Sequence, residues 1–178
     1  MNMRNVVGMM LVLAVAGLTA CSDYKDSGGQ TKAERDAALE SRAMDTVKSF
    51  KAADPSMTKF FNTSAGYVVF PKVGKGGLVV GGAHGKGVLY EGGQAVGYAT
   101  LTQGTVGAQI GGQVYSEIIF FENAAALAEF KRGEAELSAQ ASAAAAAAGA
   151  GANADYEDGV AVFTMGEKGL MAEASVGG

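Results

Sequence analysis

Between Val73 and Tyr90 the chain reads VGKGGLVVGGAHGKGVLY, two Gly-Lys-Gly units in a Val/Leu-rich stretch that also holds the only histidine, His84. Glycine and lysine together are the material of phosphate-binding loops, so nucleotide chemistry is the first to test. A P-loop requires Gly, four residues, then Gly-Lys-Ser/Thr, because the hydroxyl carries the metal of the bound nucleotide. Lys75 and Lys86 are each followed by glycine, and the position five before Gly74 is Val69. GAGANA, from Gly149 to Ala154, loosely matches a dinucleotide fingerprint. It follows an alanine run rather than a Val/Ile strand and has no βαβ unit around it.

Nucleophilic and metal chemistry fare no better. His84 is the single imidazole, and no Gly-x-Ser-x-Gly elbow exists to expose a serine. One His with one Cys falls short of the usual zinc ligand sets. The acids Glu91, Glu117 and Glu122 are dispersed, and the Asp155/Glu157/Asp158 cluster reads as a solvated turn before it reads as a weak Ca²⁺ site. Nothing here argues for an enzyme, and no metal or cofactor is expected. The 14 basic residues stand against 18 acidic ones, a formal charge of −4. That excludes a general nucleic-acid binder, which needs a basic domain, and leaves room for a local basic patch.

The N-terminus is built to cross a membrane. MNMRN carries one Arg and no acid, Val6 to Gly17 is almost wholly apolar, and Leu18-Thr19-Ala20-Cys21 follows. A charged start, a short apolar run and small residues at a cleavage point describe a secretory signal peptide over residues 1–20. The run falls short of the roughly 20 apolar residues that span a bilayer. LTAC resembles the bacterial lipobox, in which the signal is cut before a cysteine that is then acylated. Cys21 is the chain's only cysteine, so it has no intrachain disulfide partner. Ser22 rather than Asp after it implies sorting to the outer membrane, on a side facing the periplasm. Residues 21–32 are then a lipidated Cys and a polar tether, and residues 33–178 one domain. Removal of Arg4 with the signal leaves 13 basic against 18 acidic residues.

The elements that must position the lysines follow from periodicity. Lys32 to Ala53 puts Leu39, Ala43, Met44, Val47 and Phe50 on one side of a helix, with Arg35, Arg42, Asp45 and Ser49 opposite. Asp54-Pro55 ends it and caps a second helix through Met57, Phe60 and Phe61. Both helices are expected to pack on the domain, the alternative being a basic, Met/Phe-bearing face on a lipid surface. From Gly66 the segments GYVVFP, GGLVVGG, GKGVLYE, QAVGYATL, TVGAQIGG and VYSEIIFF read as an antiparallel meander. Fourteen glycines lie between Gly74 and Gly112, several inside strands. Strand glycines mark bulges and bends, which points to a strongly curled sheet or small barrel. Asn123 to Arg132 is a short capped helix, and the alanine-rich stretch up to Asp155 leans to a small-residue strand or hairpin. The end reads as a hairpin turning at residues 166–169. The fold class is α+β: a Gly-rich antiparallel sheet, N-terminal amphipathic helices and one short additional helix.

Five motifs in order carry a resemblance. GYVVFP, GKGG, GKGVLY, GGQVYSE and GEKGLMA resemble the SYLF-domain family, over about Ala33 to Val176. The alanine-rich stretch from Ala139 to Ala154 departs from it. The resemblance implies a lipid-binding module with membrane phospholipids as partners. Eukaryotic members bind phosphoinositides and some bind actin, neither of which is expected here. What it carries to this chain is affinity for anionic headgroups, through Lys72, Lys75 and Lys86, with Arg35, Arg42, Lys48, Lys51 and Lys59 as helical contributors. The alternative is a structural or stress-related envelope protein that binds another protein, its lipid serving only as tether. A hydrolase centred on His84 is the weakest reading.

Overall fold

The computed structural model describes residues 29–77, 80–106, 111–133, 144–145 and 149–166. The signal peptide, Cys21, nearly all of the tether, much of the alanine-rich stretch and the turn expected at 166–169 lie outside the described residues.

Helix α1 (Lys32–Ala53) has the bounds its periodicity predicts. It starts at a capping box: Thr31 Oγ1 accepts from the Glu34 amide, and the Glu34 carboxylate accepts from the Thr31 amide at 2.7 Å. Asp54 closes α1 through its own amide, which donates to Phe50 O. It then caps the 3₁₀ turn Pro55–Met57, and α2 (Thr58–Thr63) follows. Ala43 and Phe50 are fully buried, and Leu39 and Val47 pack beside them. Met44, about 100° further round the helix, is 55% exposed, so the apolar stripe is narrower than the sequence suggests.

The sheet contains β1 (Gly66–Gly77), β2 (Val80–Glu91), β3 (Gln94–Val106), β4 (Gly111–Phe121), β5 (Ala144–Ala145) and β6 (Val160–Gly166). Strand order is β3-β2-β1-β4-β6-β5, antiparallel apart from the two-residue β5. Among the described residues the two end strands do not meet, so the sheet is open and the small-barrel alternative is overturned. The register explains why. From Lys72↔Lys86 to Gly77↔Gly81 the glycine-rich halves of β1 and β2 pair without a break. The irregularities lie elsewhere, around Pro71 in β1 and at Val96 in β3. Pro71 has no amide to give a central strand, so β1 bulges there, and Ser116 of β4 faces both Pro71 and Lys72. Gly92 and Gly93 form the β2–β3 turn with φ of 56° and 79°, a two-residue hairpin that only glycine makes at no cost.

The two sheet faces have separate cores. Val69, Val88, Tyr90, Ile118, Phe120 and Phe163 lie under α1 and α2, joined by Phe50, Met57 and Phe60. Val68, Phe70, Val73, Ile119, Phe121 and Val162 point the other way, where α3 (Ala124–Arg132) brings Leu127 and Phe130. Asn123 caps α3 as its type predicts, its Oδ1 accepting from Ala125 and Ala126 amides. Among its described residues, the alanine-rich stretch shows its expected strand character at β5. Its end forms the helical turn α4 (Ala150–Asn153), because the buried Asp54 carboxylate accepts from the Gly151 amide at 2.7 Å. No helix among the described residues is long and apolar enough to cross a membrane.

Candidate functional site

Side chains alternate along a strand, so register decides which lysines share a face. Val73 belongs to the α3-side core, which puts Lys72 on the α1 side and Lys75 on the other. Lys72 is the direct cross-strand partner of Lys86. Lys86 in turn opposes Thr100 on β3, and His84, two residues along β2, opposes Thr102. All five of these side chains are exposed. Opposed residues carry Cβ atoms about 5 Å apart, and like charges so placed destabilise a sheet. Lys72 and Lys86 have no ion-pair partner among the described residues, so nothing there offsets that repulsion.

The floor around them is bare backbone. Gly74, Gly76 and Gly104 share this face, and a Cβ on any of them would meet nothing within 4 Å. Packing therefore does not require glycine at these positions, and the sheet presents a smooth surface beside two cations.

A groove of about 320 Å³ opens next to this face, between α1 and the sheet. Arg42 and Lys72 supply cations, Thr46 and Ser49 hydroxyls, and Phe50, Val114 and Met165 an apolar base. The polar flank of α1 thus borders a groove rather than pointing away from the sheet. Asp45 shares the wall, ion-paired to Lys48 at 2.9 Å. The Ser116 hydroxyl donates to Pro71 O at 2.8 Å, which ties the groove wall to the β1 bulge.

Of the eight cations expected to act together, the structure assembles three: Arg42, Lys72 and Lys86. Lys75 lies on the opposite face. Arg35 donates to Gln30 O at 2.8 Å at the helix start. Lys48 is held by Asp45, and Lys51 stands 4.3 Å over the Phe61 ring. Lys59 reaches the carbonyls of Ala152 and Ala154 at 3.4 and 3.2 Å, fastening α4 to α2. Sequence reasoning weighed His84 only as a catalytic base and missed Thr100, Thr102, Thr46 and Ser116. Strand alternation from Lys86 could have found His84, but the β3 residues depend on a bulge at Val96 that no residue type announces.

This arrangement can hold an anion. Lysine ammonium groups serve as point charges for phosphate, and an arginine fork can bind it bidentately. His84 Nδ1 lies 3.5 Å from Thr102 Oγ1, at the long limit of a hydrogen bond. The class defined is an open-sheet α+β domain with a cationic, glycine-floored face.

Residues 102–178 match the family model Ysc84, described as Las17-binding protein actin regulator. The chain is also 28% identical over 127 residues to Beta cell expansion factor A of Aeromonas veronii, covering 70% of this chain and 48% of that protein. It therefore spans about half the length of that relative. The family-model match over residues 102–178 agrees with the resemblance to the SYLF (Ysc84) family that the motifs carry. The matched segment begins at the end of β3 and includes β4, α3 and β6. Lys72 and Lys86 precede it.

Proposed function

We propose that this chain is a membrane-anchored lipoprotein of the bacterial envelope whose domain binds anionic phospholipid headgroups without catalysis. The observation that carries the reading is the Lys72–Lys86 pair, two cations held side by side over bare backbone with Arg42 in the adjoining groove. An anionic headgroup relieves their repulsion, and the apolar base of the groove suits the first carbons of an acyl chain. Each lysine near an anionic surface contributes about 1 kcal/mol. The match of residues 102–178 to the SYLF (Ysc84) family fits a lipid-binding role. Acylation at Cys21 would supply the anchor, and outer-membrane sorting follows from Ser22. From Cys21 to the start of α1 the chain reaches at most about 35–40 Å, enough to turn the cationic face toward the anchoring membrane.

The test is amine footprinting of the full chain by mass spectrometry, on vesicles of phosphatidylglycerol in phosphatidylcholine and on phosphatidylcholine alone. Lys72 and Lys86 should be labelled several-fold more slowly on the anionic vesicles, while Lys131, paired with Glu91 away from this face, is unchanged. Equal labelling of Lys72 and Lys86 on both vesicles would sink the reading. The outer edge of β3 favours a second one. Thirteen residues, QAVGYATLTQGTV, lie there with no charge and no proline and with Val96 and Tyr98 exposed, an edge suited to pairing with an extended segment of another protein. Protection of β3 amides from hydrogen exchange by envelope extract, with both lysines unprotected on lipid, would favour it.

A further inference from the structure

Behind the groove, on the other face of the sheet, sits a buried carboxyl group with one oxygen that has no hydrogen-bond partner among the described residues. Glu117 of β4 is 4% exposed, and its Oε1 has no hydrogen-bond partner. Its cross-strand neighbours are Phe70 on β1 and Thr164 on β6. Phe70 and Val162 on that face belong to the apolar cluster. Among the described residues, the titratable groups on that face of its own and the neighbouring strand are Tyr115, two residues along β4, and Lys75, further along β1. α3 turns Leu127 and Phe130 inward on this face and keeps Glu129, Lys131 and Arg132 at its exposed side. Through the sheet lie Arg42, Asp45 and Lys72.

The position matters because of what surrounds it in the chain. Tyr115 and Ser116 directly precede Glu117, and both line the groove. Pro71 and Lys72, in the bulge beside its partner Phe70, line it as well, and so does Met165 beside its partner Thr164. The strands that carry the groove floor are therefore the strands that enclose this carboxyl. A buried polar group left without a partner weakens the structure around it, and a charged one does so far more.

We propose that Glu117 is a proton-operated control on the groove: protonated, it lets β1, β4 and β6 keep the floor packed; ionised, it loosens that floor and sets a negative charge behind Lys72 and Arg42. The inference rests on the anion-binding reading of the same face. Burial alone, with no compensating charge or hydrogen bond, pushes the Glu117 carboxyl up from its ordinary 4.5 to about 7. The folded chain thus holds this proton more tightly than the unfolded one. The stability it confers is complete below 4.5 and is lost as pH rises toward about 7. Anion binding should weaken over the same window.

The experiment uses the full chain, wild type and Glu117→Gln. It measures urea midpoints, and co-sedimentation on phosphatidylglycerol/phosphatidylcholine vesicles less that on phosphatidylcholine alone, from about pH 5 to about pH 8. Wild type should lose stability relative to Glu117→Gln as pH rises, and its lipid-dependent increment should fall several-fold while that of the variant stays level. An increment with the same pH profile in both proteins would overturn the control and leave anion binding standing. No increment in either protein at any pH would overturn both. A carboxyl ¹³C titration of wild-type Glu117 needs no variant to fold: a midpoint near neutrality supports the inference, and one near 4.5 overturns it.

Discussion

Two glycines, one on each of two paired strands, separate packing from surface. A Cβ on Gly87 would lie 2.6 Å from Phe70 Cδ1 and 2.8 Å from Val69 O, inside the β1 bulge, where backbone cannot give way cheaply. Gly87→Ala should therefore lower stability by about 1–3 kcal/mol, the range for overpacking a filled site, read as a lower urea midpoint at unchanged slope. Gly74→Ala meets nothing within 4 Å and should stay within about 0.5 kcal/mol of wild type. Residue types alone hid this difference, since each glycine sits beside a lysine in a Gly-Lys-Gly unit. Phe70 crosses over Gly87 only because Pro71 forces β1 to bulge. Proline inside a strand was visible in the sequence, whereas its effect on pairing needed three strands in register. Without the bulge, Lys72 would oppose Gly85 rather than Lys86, and the two cations would not stand together.

At the scale of elements, the junction of α1 and α2 was the most legible part, because local chemistry decides it. Asp54 and Pro55 stop one helix and start the next through their own atoms. What the sequence could not show is the long-range use of the same carboxylate. Asp54 is buried and accepts from Ser56 N, Ser56 Oγ and, nearly a hundred residues on, Gly151 N. Burial pushes its pKa up, but the hydrogen bonds from Ser56, Gly151 and Gly149 together outweigh that and hold it below 3.8. Helical propensity would have run the alanines into a long helix, and the neighbouring strands argued for a hairpin. The Asp54 contact fixes one short helical turn, Ala150–Asn153, at the end of the stretch. Asp54→Ala should cost about 2–3 kcal/mol, as the loss of charge-assisted bonds does. Its sign with pH is opposite to that of Glu117. A depressed carboxylate stabilises above 3.8, and the contribution is lost as pH falls through its lower folded value. Below pH 3.8 the thermal midpoint of wild type should drop toward that of the variant, closing a gap that is widest near neutrality.

The whole molecule carries a formal charge of −4, so an anionic membrane repels it at long range. Binding through the proposed face can only win close to the surface, where Arg42, Lys72 and Lys86 act within a Debye length, about 10 Å at 0.1 M salt. This conflict between global charge and local lysines is legible in the sequence, which spreads the cations over eight positions. Folding sends Lys75 to the far face and occupies Lys48, Lys51 and Lys59 with a carboxylate, a ring and two carbonyls. The effective charge of the face is therefore near three, small enough for salt to decide the outcome. Raising ionic strength tenfold from about 0.05 M shrinks the Debye length about threefold, and the phosphatidylglycerol-dependent protection of Lys72 and Lys86 should disappear. Lys72→Glu with Lys86→Glu should remove that dependence in advance, lowering binding at least tenfold at low salt and leaving only the salt-independent hold of the proposed acyl anchor. Footprints that persist at high salt in wild type would mean that the groove binds through Phe50, Val114 and Met165, with the cations as bystanders.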